Sequence, residues 1–94
     1  MPTGSLPIPM KLAESIVTSY HTNGKVVVST VLIPATTMRE AHWETMVFPG
    51  EHDDDGQIKI TDWVEIDCQR SYDEEMAHRT HHKLTVKWSV RSVS

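Results

Sequence analysis

The stretch AESIVTSYHTNGKVVVSTVLIP, residues 13–34, decides the fold. Two runs rich in β-branched residues flank Asn23-Gly24, a pair that tolerates the positive φ angles of a type I′ turn, whose twist matches the strands it joins. The pattern predicts strands over about 13–21 and 25–33, paired as a hairpin. Pro34 and the following ATTMRE end the second strand, because proline has no N–H to give to a central ladder.

Downstream, AHWETMVF at 41–48 alternates with period two. Trp43, Thr45 and Val47 fall on one face and Glu44, Met46 and Phe48 on the other, so a strand here is apolar on both faces and belongs inside a sheet. Glu44 is the exception. A carboxylate between Trp43 and Met46 needs a partner, which a basic or hydroxyl group from a helix or from another subunit would supply. Pro49-Gly50 then signals a turn, and EHDDDG reads as a solvated loop, since three adjacent carboxylates repel one another.

From Gln57 to Arg70 the period is again two, with a break expected near Thr61-Asp62. Ile58, Ile60, Val64, Ile66 and Cys68 share the apolar side, which makes Cys68 a buried, inert thiol, while Trp63 lies on the polar side as a candidate contact residue. In SYDEEM, Ser71 and Glu74 have the spacing of a capping box, and Asp73, Glu74 and Glu75 suit the positive end of a helix dipole. Met76, Ala77, Thr80, His81, Leu84 and Trp88 follow on one helical stripe, which predicts a helix to about Trp88. The strict alternation of KLTVKWSVR leaves a final strand after a shorter helix open as an alternative.

The expected architecture is therefore α+β: a four-stranded antiparallel sheet with one C-terminal helix packed on one face, ββββα, with ββββαβ as the alternative. A chain of 94 residues with 38% hydrophobic content forms one domain, here 11–94, preceded by an extended Pro-rich arm over 1–10. One cysteine excludes an internal disulfide framework and points to a reducing compartment. No apolar run approaches the roughly 18 residues that span a bilayer, and MPTGSLPIPM lacks the pattern of a secretory signal. One helix covers only part of such a sheet, so self-association is expected, with Trp43, Glu44, Trp63 and Trp88 as interface candidates.

Charge is unevenly distributed. Residues 40–75 hold twelve of the thirteen acids, whereas 76–94 hold Arg79, Lys83, Lys87 and Arg91 and no acid. With a net charge of -4, duplex nucleic acid is excluded as a partner, while the C-terminal segment can attract a small anion through His78, Arg79, His81, His82, Lys83 and Lys87. Glu75, His78 and His82 share a helix face at spacings of three and four, the geometry of a Zn²⁺ site short of one ligand, although a solvated polar face gives the same pattern. His81 borders the apolar stripe and is expected to be half-buried and bonded to backbone. There is no P-loop, no G-x-S-x-G elbow and no Cys-x-x-Cys pair, and HDDDG lacks the interleaved spacing of a calcium loop, so no enzymatic activity is expected.

VSTVLI, WETMVF and RSYDEEMAHRTHH taken together resemble a group of small proteins encoded by phages and prophages. Members of that group carry an S/T-V strand, a FETMVF-like strand, an Arg-Tyr-Ser/Thr lead-in to a helix and a helical Gly-His pair. The matches here are Ser29 to Val31, Trp43 to Phe48, Arg70-Ser71 with Glu75 and Ala77, and His81. Thr80 stands in place of the Gly, and the segment from the acidic loop to Trp63 is longer than in the group. The resemblance implies a phage accessory protein of the host cytoplasm, one that binds and sequesters a host protein or a small anionic ligand such as a signalling nucleotide. A metal-binding protein or metal-dependent hydrolase, and a virion or assembly component, are the alternatives.

Overall fold

A computed structural model describes residues 10–19 and 24–89. Five strands, β1 (Met10–Thr18), β2 (Lys25–Ile33), β3 (His42–His52), β4 (Ile58–Ile60) and β5 (Asp67–Ser71), precede one helix, α1 (Glu74–Ser89). The sheet is antiparallel in the order β1-β2-β3-β4, and β5 pairs with β3 beside β4. This is the expected ββββα architecture with its fourth strand in two pieces. No helix among the described residues is long and apolar enough to cross a membrane.

The first strand of the hairpin lies about three residues earlier than its sequence suggests, while β2 matches its predicted bounds. β1 begins at Met10, so the Pro-rich arm gives up its last residue to the strand, and the rest of that arm is outside the described residues. Thr18 stands opposite Lys25, and the Ser19 N–H donates to the Gly24 carbonyl at 3.0 Å. Asn23-Gly24 is therefore not the centre of a two-residue turn; Asn23 itself lies outside the described residues.

β3 also runs past its predicted end. Val26 pairs with Pro49 and Lys25 with Gly50, so the Pro-Gly pair is inside the strand, and the reversal comes at Asp53–Gly56. There the Asp53 Oδ1 accepts the N–H groups of Asp55 and Gln57, both at 2.9 Å, and Gly56 takes a φ of 79°. Pro49 is tolerated because of where its missing donor would point. Its carbonyl accepts from the Thr61 N–H, and the N–H and C=O of one strand residue face the same neighbour. The absent N–H thus faces the gap at 61–66, where the chain leaves the ladder before the Ile66 N–H returns to the Val47 carbonyl.

That gap resets the alternation expected from Gln57 to Arg70. Ile66 packs on the core, Val64 is 61% exposed, and Cys68 is exposed rather than buried. The helix start differs too. The Asp73 Oδ1 accepts the Met76 N–H at 2.7 Å and caps α1, whereas Ser71 is the buried last residue of β5 and its hydroxyl donates to Thr80 Oγ1. α1 continues unbroken to Ser89, so Leu84, Val86 and Trp88 are helical, and any further strand would fall in 90–94, outside the described residues.

α1 packs on one face of the sheet. Val26, Val28, Val47 and Leu84 form the core cluster, joined by Val17, Ile66 and Trp88. From the predicted stripe Ala77, Thr80, His81 and Leu84 are buried, while Met76 is 42% exposed.

Candidate functional site

Alternation places Ser15 on β1, Thr30 on β2 and Thr45 on β3 beneath α1, because Ser15 is opposite Val28 and Thr30 is opposite Thr45. His81 points down from the helix into this row. Its Nε2 is 2.8 Å from Ser15 Oγ and its Nδ1 2.8 Å from Thr30 Oγ1, which in turn is 2.8 Å from Thr45 Oγ1. The four side chains make one hydrogen-bonded line across three strands. His81 is thus bonded to hydroxyls, not to backbone, and is buried more deeply than its sequence position suggests. Burial lowers its pKa, with smaller contributions from His78 and His82. Among the described residues no buried side-chain nitrogen or oxygen lacks a hydrogen-bond partner.

A serine beside a histidine is the geometry of an activated nucleophile, but the third member here is a threonine hydroxyl. Without a carboxylate to stabilise an imidazolium, and with burial holding the ring neutral, His81 is a poor base, and the line reads as a polar clamp between helix and sheet. It joins three separate stretches of the chain: Thr30 from VSTVLI, Thr45 from WETMVF and His81 from the helix.

The opposite face of the sheet carries a second cluster. The His42 ring is fully buried, with Nδ1 3.1 Å from the Glu40 carbonyl and Nε2 2.8 Å from Glu44 Oε2, which leaves neither nitrogen for a ligand. Arg70 Nη2 is 3.5 Å from the same carboxylate oxygen. Within the chain, the partners of Glu44 come from its own strand and from β5 rather than from the helix. A hydrogen bond with Tyr72, aided by Glu44, holds Arg70 firmly charged.

The pairing of β5 with β3 sets four outward side chains in a row. Tyr72 lies beside His42 with ring centroids 6.3 Å apart, Arg70 is opposite Glu44, Cys68 is opposite Met46, and Trp63 stacks edge-on against Phe48 at 5.4 Å. Phe48 is buried, yet Trp63 is 73% and Tyr72 62% exposed, and half of the Arg70 side chain is open. Partial burial of the Cys68 thiol, with Glu65 and Glu44 nearby, pushes its pKa up, the wrong direction for a nucleophile.

The remaining candidates separate. Trp43 is half-buried beneath α1, and Trp88 donates its indole N–H to Asp67 Oδ2 at 2.9 Å, so both face inward. Lys87 bonds the same oxygen at 2.8 Å. Asp67 is partly buried, which opposes ionisation, but these two hydrogen bonds, the Lys87 charge and the Cys68 N–H together outweigh burial and lower its pKa. His78, Arg79, His82 and Lys83 are exposed on α1, whereas His81 is buried against the sheet and Lys87 is drawn to Asp67. Glu75 sits 3.8 Å from Arg79, and no group of three or more His, Cys, Asp or Glu among the described residues could hold a metal ion.

The hydroxyl line was half legible, since His81 stands out on its stripe, but Thr30 and Thr45 look like ordinary strand residues until the register is known. Arg70 and Tyr72 gave no signal, because only the pairing of β5 with β3 brings them into line with Trp63. No protein-family model matches the chain, and neither a curated protein nor a solved structure matches it.

Proposed function

We propose that this chain is a non-enzymatic binding protein that works by occupying a partner protein, with Trp63, Arg70 and Tyr72 as its anchors. The exposed row Tyr72–Arg70–Cys68–Trp63 carries the reading. Tyr, Trp and Arg dominate binding hot spots, and here they lie on one edge of a sheet, held from behind by buried His42 and Phe48. Asp62 and Glu65 flank Trp63 and are exposed, so the matching partner surface is apolar at its centre and basic at its rim. The resemblance to phage-encoded proteins supports placing this activity in an infected cell's cytoplasm, against a host protein.

A photo-crosslinking residue at position 72 should give one discrete adduct in host extract. The same residue at position 79, on the outer side of α1, should give none, and Trp63→Ala should abolish the adduct from 72. An adduct from 79 alone would overturn the reading in favour of the helix surface.

That surface supports a second reading. His78, Arg79, His82 and Lys83 project together from α1 and could hold a small anion such as a nucleotide, without His81 and Lys87, which are engaged in the fold. A nucleotide-dependent rise in melting temperature, lost in Arg79→Ala/Lys83→Ala, is its expected signature.

A further inference from the structure

The far edge of the sheet, away from the aromatic row, is β1, which among the described residues pairs with β2 alone. The hydrogen bond from Ser19 to Gly24 fixes the phase of that ladder, because strand residues alternate between neighbours. Ser15 and Val17 direct their N–H and C=O to β2, and Glu14, Ile16 and Thr18 direct theirs outward. β1 also packs against α1 through Val17 and Ser15, but among the described residues no strand pairs with its outer edge.

Natural edges of this length are blunted by proline, by unpaired lysine or by a bulge. β1 has a bulge only at its start, between Lys11 and Ala13, and runs regularly from there to Thr18. It holds no proline, and its two charges, Lys11 and Glu14, neutralise each other at 2.9 Å.

We propose that this edge pairs with β1 of a second copy of the chain, antiparallel about a two-fold axis at Ile16, to give one continuous sheet. A two-fold axis perpendicular to the sheet keeps both helices on one side and brings together only residues of the same face. An axis at Glu14 would set two carboxylates opposite each other. An axis at Ile16 sets Glu14 opposite Thr18 and Ile16 opposite itself, with no like charges facing and every outward amide from Glu14 to Thr18 satisfied. The dimer leaves both aromatic rows at its outer edges, so the proposal stands whether or not the row binds a partner. If the row does bind, the assembly is bivalent.

Sedimentation equilibrium at tens of micromolar should give the mass of two 10.7 kDa chains. Thr18→Pro removes only an outward backbone N–H at a residue whose side chain is exposed, so it should yield a folded monomer. Should that variant fail to fold, the charge pair still reads the register. Thr18→Glu faces Glu14 of the second copy and should weaken the dimer by about threefold to tenfold, whereas Thr18→Lys should not weaken it. A monomeric wild type would overturn the proposal. So would a dimer indifferent to Thr18→Pro and Thr18→Glu, or one dispersed by Trp63→Ala/Tyr72→Ala, which would make the row the self-interface.

Discussion

On the face of the sheet that carries α1, Val26, Val28, Val47 and Leu84 are fully buried, and the hydroxyls among them are tied to His81 in one line. On the other face Val27 and Phe48 reach nearly the same burial with no second layer above them among the described residues. Gly50 lets β3 and β4 close over Val27, and the Trp63 ring covers Phe48 from the gap between β4 and β5. A packed helix closes the first face along its length. Local shape closes the second at one end only, and the side chains that do the closing remain exposed. Stability should therefore concentrate under α1 and recognition on the opposite side.

The sharpest way to break this contrast is Leu84→Ala. It removes the one fully buried helix side chain in the core cluster and should cost about 2–5 kcal/mol in denaturant unfolding, a large share of the stability of a domain this small. A loss below about 1 kcal/mol would mean that α1 is not what holds that face.

Gly50→Ala tests the other face. A Cβ there would collide with Val27 Cγ2 and lie 2.9 Å from the Lys59 carbonyl oxygen, and backbone cannot yield as a flexible side chain can. The expected cost is about 1–3 kcal/mol, as for overpacking a full core. A neutral result would show that β4 is loosely held.

A smaller effect should appear with pH. The groups facing His81 from β1 and β2 are the neutral hydroxyls of Ser15 and Thr30, and burial, with His78 and His82 on its own helix, holds its folded pKa below the ordinary value near 6.5. The folded chain binds that proton more weakly than the unfolded chain does. This contribution to stability is complete above about pH 6.5 and is lost as pH falls from there through the lowered value. Unfolding midpoints measured between pH 8 and pH 5 should drop, and His81→Gln should flatten that part of the profile. An equal slope in the variant would assign the effect to other groups.

How much of this could be read from sequence follows the range of the interactions. β2 and the apolar stripe of α1 were legible because period two and period 3.6 are local signals. The Pro49-Gly50 turn misled because a proline's fitness for a strand depends on what lies across from it, here the gap at 61–66. Ser71 misled for a like reason: the capping-box spacing is real, but pairing with Trp43 carries the strand on through Ser71 and passes the cap to Asp73. The exposed aromatic row was the least legible feature, since its members come from the gap, from β5 and from the turn into α1, and only the β3 register aligns them.

Trp63→Ala should have the smallest effect on folding and the largest on recognition. The ring is mostly exposed, and its contact with Phe48 is a single edge-on pair, worth about 0.5–1.5 kcal/mol. Unfolding free energy should fall by about 1 kcal/mol or less, since Phe48 keeps its packing on the sheet while gaining some exposure to water. If Trp63 were instead a core residue reached from the loop, the loss would match that of Leu84→Ala, and the two faces would be equivalent. A small stability change together with loss of the position-72 crosslink separates the two roles in one variant. The fold then uses the indole only as a lid, and a ring left open between Asp62 and Glu65 is what the proposed recognition role requires.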